Sequence, residues 1–211
     1  MRFSGSGQTA PFGPMKLYPL LTWAFCVTVS AATPPPSSTT LPPSDISLHP
    51  NVRWKGTLPA GPFVHVDAST VLTVEGTETL VSRDQGATWS AQPLFTEPEK
   101  YLARVERALI RTRENTLVLA FLNDRERVWS WDKQQGEPGA EVRLPTYVTR
   151  SLDGGKSWQT PQKLHDDWSG AIRNMIQTDD GTLVFTTMKI LRNPGRHGCL
   201  TYRSTDDGVT W

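Results

Sequence analysis

Ser151-Leu-Asp-Gly-Gly-Lys-Ser-Trp158 decides the fold, because the same sentence is written twice more, as Ser82-Arg-Asp-Gln-Gly-Ala-Thr-Trp89 and Ser204-Thr-Asp-Asp-Gly-Val-Thr-Trp211. All obey Ser-x-Asp-x-Gly-x-Thr/Ser-Trp. At average residue usage one such match arises by chance on the order of once in a million start points. Three in a chain of 211 residues are therefore an internal repeat. Each constrained letter has a use in a turn between two strands. Asp84, Asp153 and Asp206 can accept hydrogen bonds from backbone N–H groups a few residues on. Gly86, Gly155 and Gly208 supply a positive-φ position that a β-carbon would penalise. Trp89, Trp158 and Trp211 then bury a large ring and pin the turn against its neighbour. With each carboxylate occupied by its own turn, these are fasteners rather than catalytic acids, and they carry too few carboxylates for repeated calcium loops.

Outward from each turn lie runs of strand length. Before the second stand Arg107-Ala-Leu-Ile-Arg-Thr112, a polar corner at Arg113-Glu-Asn115, Thr116-Leu-Val-Leu-Ala-Phe-Leu122 and, after a longer loop, Thr146-Tyr-Val-Thr-Arg-Ser151. Before the third stand Ala171-Ile-Arg-Asn-Met-Ile-Gln177, the turn Thr178-Asp-Asp-Gly181, Thr182-Leu-Val-Phe-Thr-Thr187 and Leu200-Thr-Tyr-Arg-Ser204. The first copy is shorter, with strands expected at 62–67, 70–74 and 77–82. Runs rich in β-branched and aromatic residues, broken by Gly and Asp corners, read as antiparallel meanders. A meander repeated about every 50 to 70 residues is the unit of a β-propeller blade, so the fold class is all-β.

Composition sets the outer bounds. Lys+Arg 22 against Asp+Glu 21 give a formal charge of +1, which removes the electrostatic case for a nucleic-acid partner. Hydrophobic residues at 37% suffice for a real core. Residues 17–32 form an apolar run after Lys16, ending in Val-Ser-Ala-Ala, so 1–32 is expected to be a cleaved signal peptide and the protein secreted or periplasmic. The run is too short for a comfortable membrane span. Residues 33–45, rich in Pro, Ser and Thr, read as a spacer, and 46–211 as the folded part. Cys199 is the only cysteine outside the leader, so no internal disulfide is expected. His49, His65, His165 and His197 are scattered without a second ligand at zinc spacing, and no metal or cofactor is implied. His165-Asp-Asp-Trp168 reads as a connector.

Residues 51–211 resemble the sialidase (neuraminidase) superfamily, whose members carry this turn, the Asp-box or BNR repeat, between the third and fourth strands of blades in a six-bladed β-propeller. A more particular likeness lies at 105–158. Bacterial-type sialidases open a blade with Tyr/Phe-Arg-Ile-Pro-Ala-Leu, continue through Gly-Thr-Leu-Leu-Ala-Phe to an Arg and then an Asp, and close on an Asp-box. Here Ala108-Leu-Ile-Arg-Thr112 and Thr116-Leu-Val-Leu-Ala-Phe121 supply the apolar frame, Arg125 follows, and Asp132 comes seven residues later. The place of the Arg-Ile-Pro arginine holds Val105-Glu-Arg107, with Arg104 one residue before it and Arg107 two after.

The resemblance implies an exported exo-α-sialidase-like glycoside hydrolase that releases terminal acidic sugars by a retaining mechanism. A sialic acid carries a carboxylate beside the scissile bond, which guanidinium forks grip bidentately. Sialidases use a tyrosine nucleophile, and an Asp protonates the leaving oxygen and later activates water. The resemblance gives that acid/base role to Asp132, with Asp124 as second candidate, and substrate contact to Arg104 or Arg107 together with Arg125. Trp129 and Trp131, spaced to share one face of an extended segment, either stack on a sugar or cover the propeller's upper face. About three blades of six are present, and the nucleophile and remaining arginines would lie beyond residue 211. These three blades alone are expected to be inactive and aggregation-prone through their open edges. Non-hydrolytic propellers carry Asp-boxes too, so the displaced arginine motivates an alternative: a non-catalytic propeller that binds glycans or proteins.

Overall fold

The computed structural model describes residues 47, 49–52 and 56–211; the leader and spacer assigned to 1–32 and 33–45 lie outside the described residues. Strands account for the regular structure except for one 3-10 turn at Asp124–Glu126. The first sheet is a meander of β1 (Val64–His65), β2 (Val71–Glu75), β3 (Glu78–Ser82) and β4 (Ser90–Pro93). The second runs β5 (Ala103–Arg111), β6 (Leu117–Asn123), then an inserted hairpin of β7 (Trp131–Asp132) and β8 (Glu137–Pro138), then β9 (Thr146–Ser151) and β10 (Gln162–His165). The third has β11 (Ser169–Gly170) and β12 (Met175–Gln177) end to end on one side of β13 (Leu183–Leu191), with β14 (Arg196–Ser204) on the other. All pairings are antiparallel. No closed ring of sheets forms among the described residues, and none of their helices is long and apolar enough to cross a membrane.

β6 shows why these sheets stack. Every residue of Leu117–Asn123 is buried, and a strand's alternate side chains point to opposite faces. Leu117, Leu119 and Phe121 join the core shared with Leu72, Val74 and Phe95 of the first sheet and its link. Val118, Ala120 and Leu122 join the core shared with Met175, Leu183 and Phe185 of the third. Each large apolar side chain so buried contributes about 1.5–3 kcal/mol relative to exposure. The middle sheet is thus covered on both faces, and its unbroken apolar run is the sequence signature of that position.

The repeated turn closes the same way three times. The Ser82 hydroxyl donates to Asp84 Oδ1 and accepts from Gly86 N–H, both at 2.8 Å, while Thr88 donates its N–H (2.8 Å) and hydroxyl (2.6 Å) to the two Asp84 oxygens. Ser151, Asp153, Gly155 and Ser157 repeat this, as do Ser204, Asp206, Gly208 and Thr210. Gly86, Gly155 and Gly208 take φ of 86°, 88° and 84°, the left-handed region that a β-carbon disfavours. The second box is also a clamp between sheets: Trp158 Nε1 donates to Thr79 Oγ1 of β3 at 2.9 Å, and the ring is buried. Trp211 instead meets Phe185 of its own sheet edge-on, and Trp89 leans on Phe63.

These donors hold all three carboxyls at about 2, well below the ordinary 3.8. In Asp84 and Asp206 the threonine hydroxyl four residues on is the leading cause; in Asp153 burial pulls upward and is outweighed by the Ser157 hydroxyl and N–H. A carboxyl whose pKa is depressed on folding stabilises the fold fully above its unfolded value, and that contribution drains as pH falls through its folded value. The thermal midpoint is therefore expected to fall between about pH 4 and pH 2, less steeply in Asp153→Asn. A profile flat to pH 2, or the same slope in the variant, would contradict this.

Three departures from the sequence pattern matter for the site. Between the pairs Ala103↔Asn123 and Arg107↔Phe121, β5 spends two more residues than β6, so Arg104–Glu106 bulge out of the ladder. The strand expected over 171–177 is split, because Ala171 adopts φ 53° and gives its N–H to Glu106 Oε1 at 3.3 Å. The long loop before β9 folds into the 3-10 turn and the β7–β8 hairpin.

Candidate functional site

In a meander the connections alternate between two ends. The Asp-boxes share one end with the turns after the first strands: the Thr116 hydroxyl bonds Asp207, and Arg113 N–H donates to Gln177 Oε1 at 2.9 Å. The opposite end holds the second-to-third-strand connections and the links between sheets. There Asp124 N–H meets Leu102 O at 2.9 Å, Leu144 bridges Trp168, and Arg192 Nη1 donates to Pro138 O at 2.6 Å. Arg104, Asp124, Arg125, Trp131 and Asp132 all belong to this second end, away from the fasteners.

The β5 bulge builds its charged centre. Arg104 Nη1 donates to Asp124 Oδ1 at 2.8 Å and its Nε to Glu106 Oε2 at 3.2 Å, each side chain about one-quarter to one-third exposed. Burial works against the guanidinium's charge, but Asp124 and Glu106 outweigh it and raise its pKa further. Arg173, largely exposed, stands 3.8 Å from Glu106 on the other side. Two arginines and two carboxylates therefore converge where β5, the edge strand of the second sheet, meets the split strand of the third.

The other sequence candidates are distributed around this centre. Arg107 is 3% exposed and donates to Ala60 O (2.9 Å) and Arg104 O (3.2 Å), so its guanidinium is spent on backbone carbonyls. Burial lowers its pKa. Arg125 is exposed and donates to Pro98 O at 3.2 Å. Asp132 sits in the inserted hairpin, its Oδ1 accepting from Gln134 N–H (2.8 Å) and Gln135 N–H (3.1 Å). Trp131, beside it, is 53% exposed.

Next to this centre the fold carries a network that the motif reading did not single out. Glu126 accepts from Tyr147 Oη (2.5 Å), Arg143 Nη2 (2.6 Å), Lys163 Nζ (2.9 Å) and Asn123 Nδ2 (3.0 Å). Desolvation pushes the Glu126 carboxyl up, yet Tyr147, Lys163 and Asn123 bring it down to about 2. Burial and then Glu126 push the Tyr147 phenol up to about 12, so this tyrosine stays protonated. The network ties the connection after β6 to β9 and β10, and thereby fixes the backbone from which Asp124 projects. Its only trace in the sequence is an acidic residue beside the candidate pair; the partners are up to 37 residues distant. Glu106 and Arg173 were missed likewise, because the bulge that turns Glu106 toward Ala171 is a pairing irregularity with no periodic signal.

Among solved structures, a protein of unknown function from Dyadobacter fermentans superimposes with a TM-score of 0.46 at 16% identity, covering 67% of this chain and 48% of that one. This chain spans about half of that protein's length. No curated protein matches the sequence. The BNR repeat-like domain matches residues 75–211, a span that starts at the end of β2 and takes in all three Asp-boxes, the core between the second and third sheets and the charged centre. By that match over most of its length the chain belongs to the family of BNR repeat-like domains.

Proposed function

We propose that this chain is part of an exported, sialidase-like glycoside hydrolase, its three sheets being blades of a six-bladed propeller. The substrate is a glycan ending in a sialic or related acidic sugar. The observation that carries the reading is the Arg104–Asp124 pair at 2.8 Å, held at the strand end opposite the Asp-boxes. A permanent cation beside a carboxyl suits a sugar whose own carboxylate flanks the scissile bond. Arg104 makes no hydrogen bond through Nη2 among the described residues, which leaves that nitrogen for the substrate. On binding, the sugar carboxylate takes up donors of Arg104 and releases the Asp124 carboxylate, which takes a proton from solvent, passes it to the leaving oxygen and then takes one from the attacking water. Glu106 holds the arginine through its Nε, and Arg173, beside Glu106, adds positive potential.

The geometry favours Asp124 over Asp132 for this role, since Asp132 is engaged by its own turn. Export through the 1–32 leader belongs to the same reading and is checked by the N-terminus of the mature protein, expected at residue 32 or 33. The test of function is incubation of the full-length protein with sialyllactose, following free sialic acid and its first-formed anomer by proton NMR. Release of the α-anomer is expected. Saturable binding of sialyllactose without release would instead favour the non-catalytic alternative, which the departure at Val105-Glu-Arg107 motivates.

A further inference from the structure

Two tryptophans keep about half of their surface in solvent: Trp129 is 50% and Trp131 53% exposed. Both line an open groove of about 460 Å³ between the β7–β8 hairpin and the β13–β14 hairpin, within the ~300–1,000 Å³ usual for small-ligand sites. The groove is built before any ligand arrives. Arg192 bonds Pro138 O, and a β-carbon on Gly195 would lie 3.0 Å from Glu137 Cβ, so the hairpins are in close contact. Trp168 links two rings of the lining: Trp129 meets Trp168 tilted by 55° with centroids 6.2 Å apart, and Trp168 lies nearly parallel to His197 at 6.0 Å. Pro138 and Ile190 extend the apolar floor, while Glu137, Arg196 and His197 are the polar groups of the lining.

We infer that this groove is a binding site for neutral pyranose units of a glycan. The inference deepens the proposed function and rests on it only for the ligand class. A pyranose presents an apolar C–H face and an equatorial belt of hydroxyls. The first matches an indole face, and the second matches a carboxylate acceptor with guanidinium and imidazole donors. Glu137 and Arg196 are of opposite sign, so the groove has no anionic preference, unlike the arginine-rich centre at Arg104. One wall is the inserted β7–β8 hairpin and the other is the far end of the β13–β14 hairpin, so the insertion adds recognition at the edge of the third sheet.

The experiment is isothermal titration and tryptophan fluorescence of the full-length protein with lactose and, separately, N,N′,N″-triacetylchitotriose. Saturable binding of at least one is expected. Trp131→Ala should weaken it about tenfold or more, with Trp131→Phe intermediate and the thermal midpoint unchanged, since the ring is half in solvent. Failure of both sugars to bind, or binding indifferent to Trp131→Ala, overturns the inference. Neither readout needs turnover: loss of the hydrolytic reading would leave a Trp131-dependent titration standing, and sialic acid release without neutral-sugar binding would remove the groove alone.

Discussion

Gly155→Ala is expected to destabilise the protein by about 2–5 kcal/mol, against about 1–2 kcal/mol for Gly181→Ala. Both glycines occupy nearly the same backbone conformation, φ 88° and 87°, so the left-handed penalty for a β-carbon is common to them. They differ in what the new methyl meets. At Gly181 nothing lies within 4 Å, whereas at Gly155 it would stand 2.3 Å from Leu72 Cδ1 and 3.3 Å from Leu117 Cδ1. Leu72 and Leu117 are fully buried, so neither can retreat without disturbing the core between the first two sheets. Gly208, whose β-carbon would meet Val118 at 3.3 Å, should fall between them. Urea midpoints at unchanged slope measure the series. Adding Leu72→Val should make Gly155→Ala cost less than it does alone, because the clashing methyl is the one removed. Equal losses at Gly155 and Gly181 would show that the second Asp-box does not press on the first sheet.

That contact also marks how far the sequence could be read. The Asp-box bonds close within four residues, from Ser82 to Gly86 and from Asp84 to Thr88, so a linear pattern carries them whole. The seven buried residues of β6 are legible for a similar reason: period-two burial on both faces leaves an unbroken apolar run. What Trp158 does with its indole is not local, since Thr79 is 79 residues away. The β5 bulge, the left-handed Ala171 and the β7–β8 hairpin follow from how sheets meet, and no propensity in Arg104-Val-Glu106 announces a bulge. The candidate site was legible as a set of residue types near strand ends. Its grouping was not: Arg104 joins Asp124 through the bulge, Arg107 is consumed by Ala60 and Arg104 carbonyls, and Glu126 organises the connection from which the pair projects.

The largest functional effect is expected from Asp124→Asn, a fall of about 10²–10⁴-fold in kcat for sialoside hydrolysis by the full-length protein. Asparagine keeps the shape and can still accept from Arg104, so the bulge survives, but it has no proton to give the leaving oxygen. Asp132→Asn should change kcat only a few-fold, because an amide oxygen can still accept the Gln134 and Gln135 N–H groups that hold the hairpin. Arg104→Lys separates binding from proton transfer: a lysine keeps the charge and loses the fork, so KM should rise more than kcat falls. An aryl sialoside with a good leaving group should recover much of the Asp124→Asn loss, since it departs without a proton, while leaving the Arg104→Lys defect unchanged. If Asp132→Asn abolishes turnover and Asp124→Asn does not, the acid belongs to the hairpin and the Arg104–Asp124 pair is a structural tie. Turnover indifferent to both would take the hydrolytic site away from this end of the sheets altogether.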